Sequence, residues 1–352
     1  YVCLLFLGLL CRLFFHYSDD VVALAALVHR LPGEIYLANL AYEILGGCTS
    51  FIVHDERGKP ILARTLDWPM PLLAKYTVQF RWIRSRDAEG TIFYSIGWPG
   101  YVGVMTAVKP GQFSVSLNAR FCPQRADSWS AYVLRKALEL TYAWGDKEVQ
   151  EEVVAQVTRL FDTLWTSLSP LHRGWAAGSL LRHALQTREI DSFDCAVRLL
   201  GKTRLVSACY FIVAGVKTNE GVVLTRDSAS TLSLCHPTHS RYMSETSSGD
   251  TTQAPFVCQT NHDIPFLEDF SPDDFNSIER HDIVHDILTT QQDYNGCLSV
   301  TTAARVLMTS ILSKRGAGVR MKMTLFCSIM CAQCEDESIP LVTARASRQL
   351  GF

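Results

Sequence analysis

Apolar residues recur along this chain with two different periods, and the changes of period mark its elements. Between Asp19 and Leu45, Val22, Leu24, Ala25, Leu27, Val28 and Leu31, then Leu37, Leu40, Ile44 and Leu45, keep helical spacing. This predicts two short helices joined at Pro32-Gly33. Thr49–Val53 is an apolar, β-rich run, Glu56-Arg57-Gly58-Lys59 is a polar turn, and Pro60–Ala63 resumes the run, so the segment reads as a hairpin. Phe93–Thr106 and Phe113–Leu117 read as further strands about the turn Lys109-Pro110-Gly111. Helical patterns then cover Tyr132–Ala143, Glu148–Leu164 and Arg173–Leu200. Strands return at Ala208–Gly215 and Gly221–Thr225, and His239–Ala254 reads as a polar loop. Helices follow at Ser277–Thr290 and Val300–Ser313, with a last apolar strand at Met323–Ala332. An order of strands, helices, strands and helices suits an α+β domain with layered sheets better than a βαβ series.

The most apolar stretch, Tyr1–Cys11 (YVCLLFLGLLC), is shorter than the roughly 18–20 residues a membrane-spanning helix requires. Its length matches the apolar region of a signal peptide, so residues 1–15 read either as part of a signal or as a buried helix.

Composition narrows the function classes. With 352 residues, 48% hydrophobic and 19% charged, the chain has the apolar content of a folded protein rather than a disordered one. Lys+Arg is 33 and Asp+Glu is 35, a net charge of −2, so there is no basic excess to bind nucleic acid. Twelve cysteines are too few for a disulfide-dense scaffold and leave the redox compartment open.

The candidate chemistry centres on Gly46-Gly47-Cys48-Thr49-Ser50, followed by Arg64-Thr65-Leu66-Asp67. Cys48 opens a strand directly after two glycines, and a hairpin folds Arg64 and Asp67 back beside it. A thiol, a fixed cation and a carboxylate can then share one site, with the Arg favouring the reactive thiolate. A buried free Cys beside a structural ion pair is the plainer alternative.

These segments resemble the acid ceramidase and N-acylethanolamine acid amidase family, N-terminal-nucleophile hydrolases related to conjugated bile acid hydrolase. Further pieces occur in the family's order: Leu31-Pro32-Gly33-Glu34-Ile35, Gly100–Thr106, Lys109-Pro110-Gly111, Ser116–Phe121, Tyr210–Val213, Gly221–Arg226 and Gln259-Thr260-Asn261-His262-Asp263. The resemblance implies a four-layer αββα sandwich. It also implies self-cleavage between Gly47 and Cys48. Residues 1–47 then form a helical α chain, and residues 48–352 a catalytic β chain carrying a helical insertion near residues 125–172. The freed α-amino group of Cys48 can serve as base for its own thiol, since such a group titrates near neutrality.

The roles the resemblance implies are these. Cys48 is the nucleophile, Asp67 orients the new amino terminus, Arg64 stabilises negative charge, and Asn261 donates to the oxyanion. Arg280 is the best counterpart of a family arginine that follows the Asn. Catalysis needs no cofactor. The implied substrate is a lipid amide, a ceramide or an N-acylethanolamine. The two chains form a heterodimer, a membrane surface or lipid-activator protein is a partner, and the compartment is lysosomal or secretory. Trp68, Trp98 and Tyr101 either line an apolar cleft for the lipid or pack in the core.

Three features depart from the family. Ala119 stands where ceramidase-like relatives carry a site glutamate. Asn118 is the candidate to replace that group as oxyanion support, although strand alternation turns it to the other face. Extra residues lie between Phe121 and Arg173. No Asn-x-Ser/Thr sequon occurs, which is unexpected for a lysosomal glycoprotein. Rival readings are a zinc hydrolase using His281 and His285 at helical i, i+4 spacing, a metal or disulfide group at Cys327, Cys331 and Cys334, a cysteine–histidine dyad with His54 or His262, and a lipid-binding relative without strong catalysis.

Overall fold

Two antiparallel sheets lie face to face with helices on both outer surfaces. The structure, a computed structural model of the chain, describes residues 16–40, 47–55, 57–68, 72–84, 90–120, 174–237, 256–263, 277–290, 324–333 and 341–345. Its elements are α1 (Ser18–Leu27), α2 (Pro32–Leu40), β1 (Gly47–His54), β2 (Pro60–Asp67), α3 (Leu73–Tyr76), β3 (Val78–Ile83), β4 (Thr91–Gly97), β5 (Thr106–Lys109), β6 (Phe113–Ala119), α4 (Ala177–Gln186), α5 (Phe193–Lys202), β7 (Cys209–Ala214), β8 (Gly221–Arg226), β9 (Thr231–Cys235), β10 (Val257–Gln259), α6 (Ser277–Thr290), β11 (Thr324–Met330) and β12 (Leu341–Arg345).

One sheet has the order β10-β1-β2-β11-β12 and the other runs β3-β4-β5-β6-β7-β8-β9. β1 and β2 face β6 and β7 across the interior, α6 covers the outside of β1 and β10, and α4 and α5 cover the seven-stranded sheet. The result is the expected αββα layering. β1 and β2 are buried along their whole lengths because each is covered on both faces.

Side-chain alternation divides β1 and β2 between two cores. Cys48, Ile52, Leu62 and Leu66 belong to the large core that fills the space between the sheets. Phe51, Val53, Ile61 and Ala63 pack on the other face with Val284, Ile287 and Leu288 of α6. The hairpin loop sets this register. Asp55 Oδ1 accepts from the Arg57 and Lys59 amides, at 2.9 and 2.7 Å, and Gly58 adopts φ 72°, which glycine takes without steric cost.

The two expected N-terminal helices are present. Pro32 opens the second, as suits a residue lacking an amide hydrogen, and Glu34 reaches back to accept from the Leu31 amide at 2.9 Å. The single strand expected over Phe93–Thr106 is instead β4 and β5 with an irregular link between them. Asn39 of α2 takes that link's backbone groups: its Nδ2 donates to Gly100 O at 2.9 Å, and its Oδ1 accepts from Val102 N at 2.6 Å. Those groups are therefore unavailable to a strand ladder. The helical pattern over Arg173–Leu200 forms two helices, α4 and α5. Strands β3, β9, β10 and β12 are additional to those expected, and β3 and β9 show the alternation of half-buried strands, as in Val78-Gln79-Phe80-Arg81-Trp82.

The hairpin at Lys109-Pro110-Gly111 is a tight turn with Gly111 at φ 72° and Gln112 N donating to Lys109 O at 3.1 Å. Residues 1–15, the insertion near 125–172, the loop 239–254, the helix over 300–313 and Cys334 lie outside the described residues. Among the described residues no single helix is long and apolar enough to cross a membrane. The bent pair formed by Ser18–Leu27 and Pro32–Asn39 passes by length and composition together, with a 119° break.

Candidate active site

The site forms at the end of the sandwich where β1 begins, β2 ends and β10 leaves its sheet. Antiparallel pairing sets Gly47 opposite Asp67, Cys48 opposite Leu66 and Ser50 opposite Arg64. Arg64 therefore lies diagonally from Cys48 on the inter-sheet face, within reach of a long side chain. Its Nη2 donates to Cys48 Sγ at 3.0 Å and to Leu117 O at 2.5 Å, while Nη1 donates to Met105 O at 2.7 Å and to Thr106 Oγ1. The Cys48 thiol lies 3.7 Å from Leu117 O, which accepts from it. Two backbone carbonyls and a hydroxyl thus hold a fully buried guanidinium against the sulfur.

Asp67 sits on the opposite face. Three residues along a strand reverse the side, so Arg64 and Asp67 cannot both face the thiol. Asp67 instead accepts hydrogen bonds from Thr65, at 3.1 Å, and from Thr324, and lies 3.6 Å from Arg280. Burial pushes its carboxyl above the ordinary carboxylate range, against the opposing pull of Arg280, Thr324, Thr65 and Arg64.

Arg280 enters from α6 on the Asp67 face. Its Nη1 donates to Cys48 O at 2.6 Å and to Thr49 Oγ1 at 2.5 Å, and Nη2 donates to Asn261 Oδ1 at 2.8 Å. Asn261 Oδ1 also accepts from the Cys48 amide at 2.9 Å, and its Nδ2 donates to Ala119 O at 2.9 Å. Cys48, Arg64, Asp67, Asn261 and Arg280 are each fully buried. All five catalytic candidates from the sequence, together with Gly47, therefore come to one place.

Their arrangement differs from the expected one in three respects. The nitrogen of Cys48 meets Asn261, whereas Asp67 was expected to orient it. The Asn261 amide group, expected to donate to an oxyanion, is directed at Ala119 O. Asn118 does not point towards the thiol: its Nδ2 donates to Gln259 O at 2.9 Å and its Oδ1 accepts from Ser50 Oγ at 2.8 Å, so it joins the two sheets. Ala119 contributes its backbone carbonyl in place of a side chain. Sequence reasoning also missed Thr49, Thr106 and Thr324, and the carbonyls of Met105 and Leu117. A backbone acceptor leaves no signal in residue type.

The rival sites fare differently. His281 and His285 stack with ring centroids 6.1 Å apart, and His285 meets the edge of Phe256. Burial lowers the His281 pKa. Among the described residues no group of three or more His, Cys, Asp or Glu gathers to hold a metal. Cys327 is buried and Cys331 half-buried. His54 pairs with Pro60 at the far end of β1, about 20 Å along the strand from Cys48 at 3.3 Å per residue. His262 directly follows Asn261, and its carbonyl accepts from Gln259 Nε2 at 2.8 Å. Trp68 and Trp98 meet edge to face at 5.2 Å within the main core, with Tyr101 packed against Trp98 at 5.8 Å.

This geometry can be set beside known proteins. Acid ceramidase of Bos taurus is 27% identical over 263 residues, covering 70% of this chain and 53% of that protein. N-acylethanolamine-hydrolyzing acid amidase of Mus musculus is 29% identical over 214 residues, covering 60% and 47% respectively. The solved structure of the Caenorhabditis elegans N-acylethanolamine-hydrolyzing acid amidase ortholog superposes with a TM-score of 0.56 at 22% identity, covering 85% of this chain and 100% of that one. The chain is similar in sequence to acid ceramidase and N-acylethanolamine-hydrolyzing acid amidase. Its fold is the N-terminal-nucleophile hydrolase sandwich. No protein-family model matches it. The chain spans about half the length of the curated relatives it matches.

Proposed function

We propose that this chain is an N-terminal-nucleophile cysteine amidase that hydrolyses N-acyl lipid amides, with a ceramide or an N-acylethanolamine as substrate. The observation that carries the reading is the double anchoring of Cys48. Its sulfur accepts from Arg64 at 3.0 Å and its nitrogen meets Asn261 at 2.9 Å. An N-terminal nucleophile needs both atoms held, one to attack and one to take up the proton. The names of the curated relatives and their sequence likeness support the choice of substrate class.

Maturation begins with attack of Cys48 Sγ on the Gly47 carbonyl carbon. The carbon–nitrogen bond breaks, the thiol proton goes to the departing nitrogen, and the resulting thioester takes up water. Residues 1–47 and 48–352 then remain together as two chains. In turnover the sulfur attacks the substrate amide, the amine leaves with a proton from the Cys48 amino group, and water releases the fatty acid. Arg64 stabilises charge on sulfur, and Arg280 with Asp67 holds Asn261 and the first residues of β1 in place. A lysosomal or secretory location and a membrane or lipid-activator surface accompany this reading.

Intact mass analysis tests it. The purified chain splits at Gly47–Cys48, Cys48→Ala stays whole, and the split form hydrolyses a fluorogenic N-acyl amide. An uncut chain after prolonged incubation across acid and neutral pH overturns the reading.

A further inference from the structure

We propose that Arg120, Asp263 and Tyr210 form a positioning device that holds the Asn261 carboxamide on the Cys48 nitrogen. The proposal rests on the amidase reading for its kinetic consequences, but not for its geometry.

The segment that carries Asn261 leaves β10 at Gln259 and, among the described residues, pairs with no strand beyond that point. A carboxamide on such a segment keeps its place only if the backbone on both sides is tied down. On one side, Asn118 donates to Gln259 O at 2.9 Å. In the middle, Asn261 donates to Ala119 O at 2.9 Å. On the other side, Asp263 accepts from Arg120 through both Nε, at 2.7 Å, and Nη2, and from Tyr210 Oη at 2.6 Å. Three consecutive residues at the end of β6 thus grip Gln259, Asn261 and Asp263 in turn. The Asp263 grip is the strongest, a forked guanidinium–carboxylate pair plus a phenol.

The chemistry of the three groups suits that task. Tyr210 rises from β7 and is fully buried, so its hydroxyl has a fixed direction. Burial and the facing Asp263 charge lift the phenol well above its ordinary range, so it stays a donor. For Asp263, burial alone favours the neutral acid, but the Arg120 and Tyr210 hydrogen bonds, the Arg120 charge and nearby His262 outweigh it and hold the carboxyl below its ordinary value. The charged groups facing Asp263 are therefore Arg120, just past the end of β6, and His262 beside it, with Tyr210 from β7. The device keeps its charge as the surroundings become acid.

The test uses the full chain. Tyr210→Phe removes one hydrogen bond with almost no change in volume. It lowers kcat about 3- to 10-fold, the worth of one buried bond, and leaves KM within about 2-fold. The acid limb of its kcat profile moves to higher pH, because Asp263 loses a donor that stabilises its charge. Asp263→Asn lowers kcat further. A second measurement is independent of catalysis: in uncut Cys48→Ala protein, the amide of residue 48 exchanges with deuterium about tenfold faster when Tyr210→Phe is added. Unchanged exchange at residue 48 overturns the positioning proposal, as do wild-type kcat and an unmoved acid limb in an active enzyme. A wild-type chain that never cleaves or turns over overturns the amidase reading instead, and the exchange measurement still decides this one.

Discussion

Arg64 Nη2 lies 3.0 Å from Cys48 Sγ, and the two residues belong to adjacent strands of one hairpin. Hairpin register alone places them diagonally, while the carbonyls of Leu117 in β6 and of Met105 just before β5 turn the guanidinium towards sulfur. The surroundings of the Cys48 thiol are therefore built partly by local pairing and partly by the stacking of two sheets.

Arg64→Lys separates these contributions. Lysine keeps the charge but cannot span four acceptors with a planar fork. Turnover of a fluorogenic N-acyl amide should fall about 10²- to 10³-fold, the range for losing one preorganised charge-stabilising donor. A drop of less than 3-fold in a folded variant would remove Arg64 from the mechanism.

Arg280→Ala should be severe for a different reason. It leaves the buried Asp67 carboxyl without its 3.6 Å cation and strips a donor from Cys48 O and Asn261 Oδ1. Breaking a buried pair from one side costs about 3–5 kcal/mol. Urea denaturation of the uncut Cys48→Ala protein, with and without Arg280→Ala, measures it free of cleavage.

Asp67 gives a pH signature. Its folded carboxyl titrates above the ordinary value because it is buried, so the folded state binds a proton more tightly than the unfolded chain. Its contribution to stability is present below the unfolded pKa of about 3.9, and it is lost as pH rises through the raised value. Asp67→Asn cannot lose a proton there. The melting temperature of the variant relative to wild type should therefore rise with pH across that window, read by scanning calorimetry. A difference that is flat in pH contradicts the assignment.

Asn39→Ala tests the seat of the N-terminal helices. Asn39 is buried and satisfies Gly100 O and Val102 N, next to the small core of Val21, Tyr36 and Val102. Its loss leaves two backbone groups unpaired, for about 1–3 kcal/mol each at most. If residues 1–47 become a separate chain, the variant should shed that chain on gel filtration in mild urea before the wild type does.

Much of this site is legible in the order of residues alone. Cys48 at a strand start and the spacing of Arg64 and Asp67 are local patterns, Asn261 and Arg280 are named by the family resemblance, and β1, β2 and α6 fall where period and turn residues place them. The same spacing shows its limit at Arg64 and Asp67. Both follow from the hairpin, yet their odd separation puts them on opposite faces, and only packing reveals what lies on each: the second sheet above Arg64, α6 beneath Asp67.

The sequence by itself therefore indicated the layered α+β class, because hydrophobic period and turn chemistry act over a few residues, and its family resemblance named the residues that gather at the site. Only the tertiary structure decided which atom meets which. The Cys48 nitrogen lies on Asn261 rather than Asp67, Arg280 links Asp67 to Asn261, and Arg120 with Tyr210 anchors Asp263. These contacts join residues of β1, β7 and α6 with the segments that follow β6 and β10. They depend on how two sheets and a helix stack and on where backbone carbonyls point, and residue identity along one chain encodes neither directly.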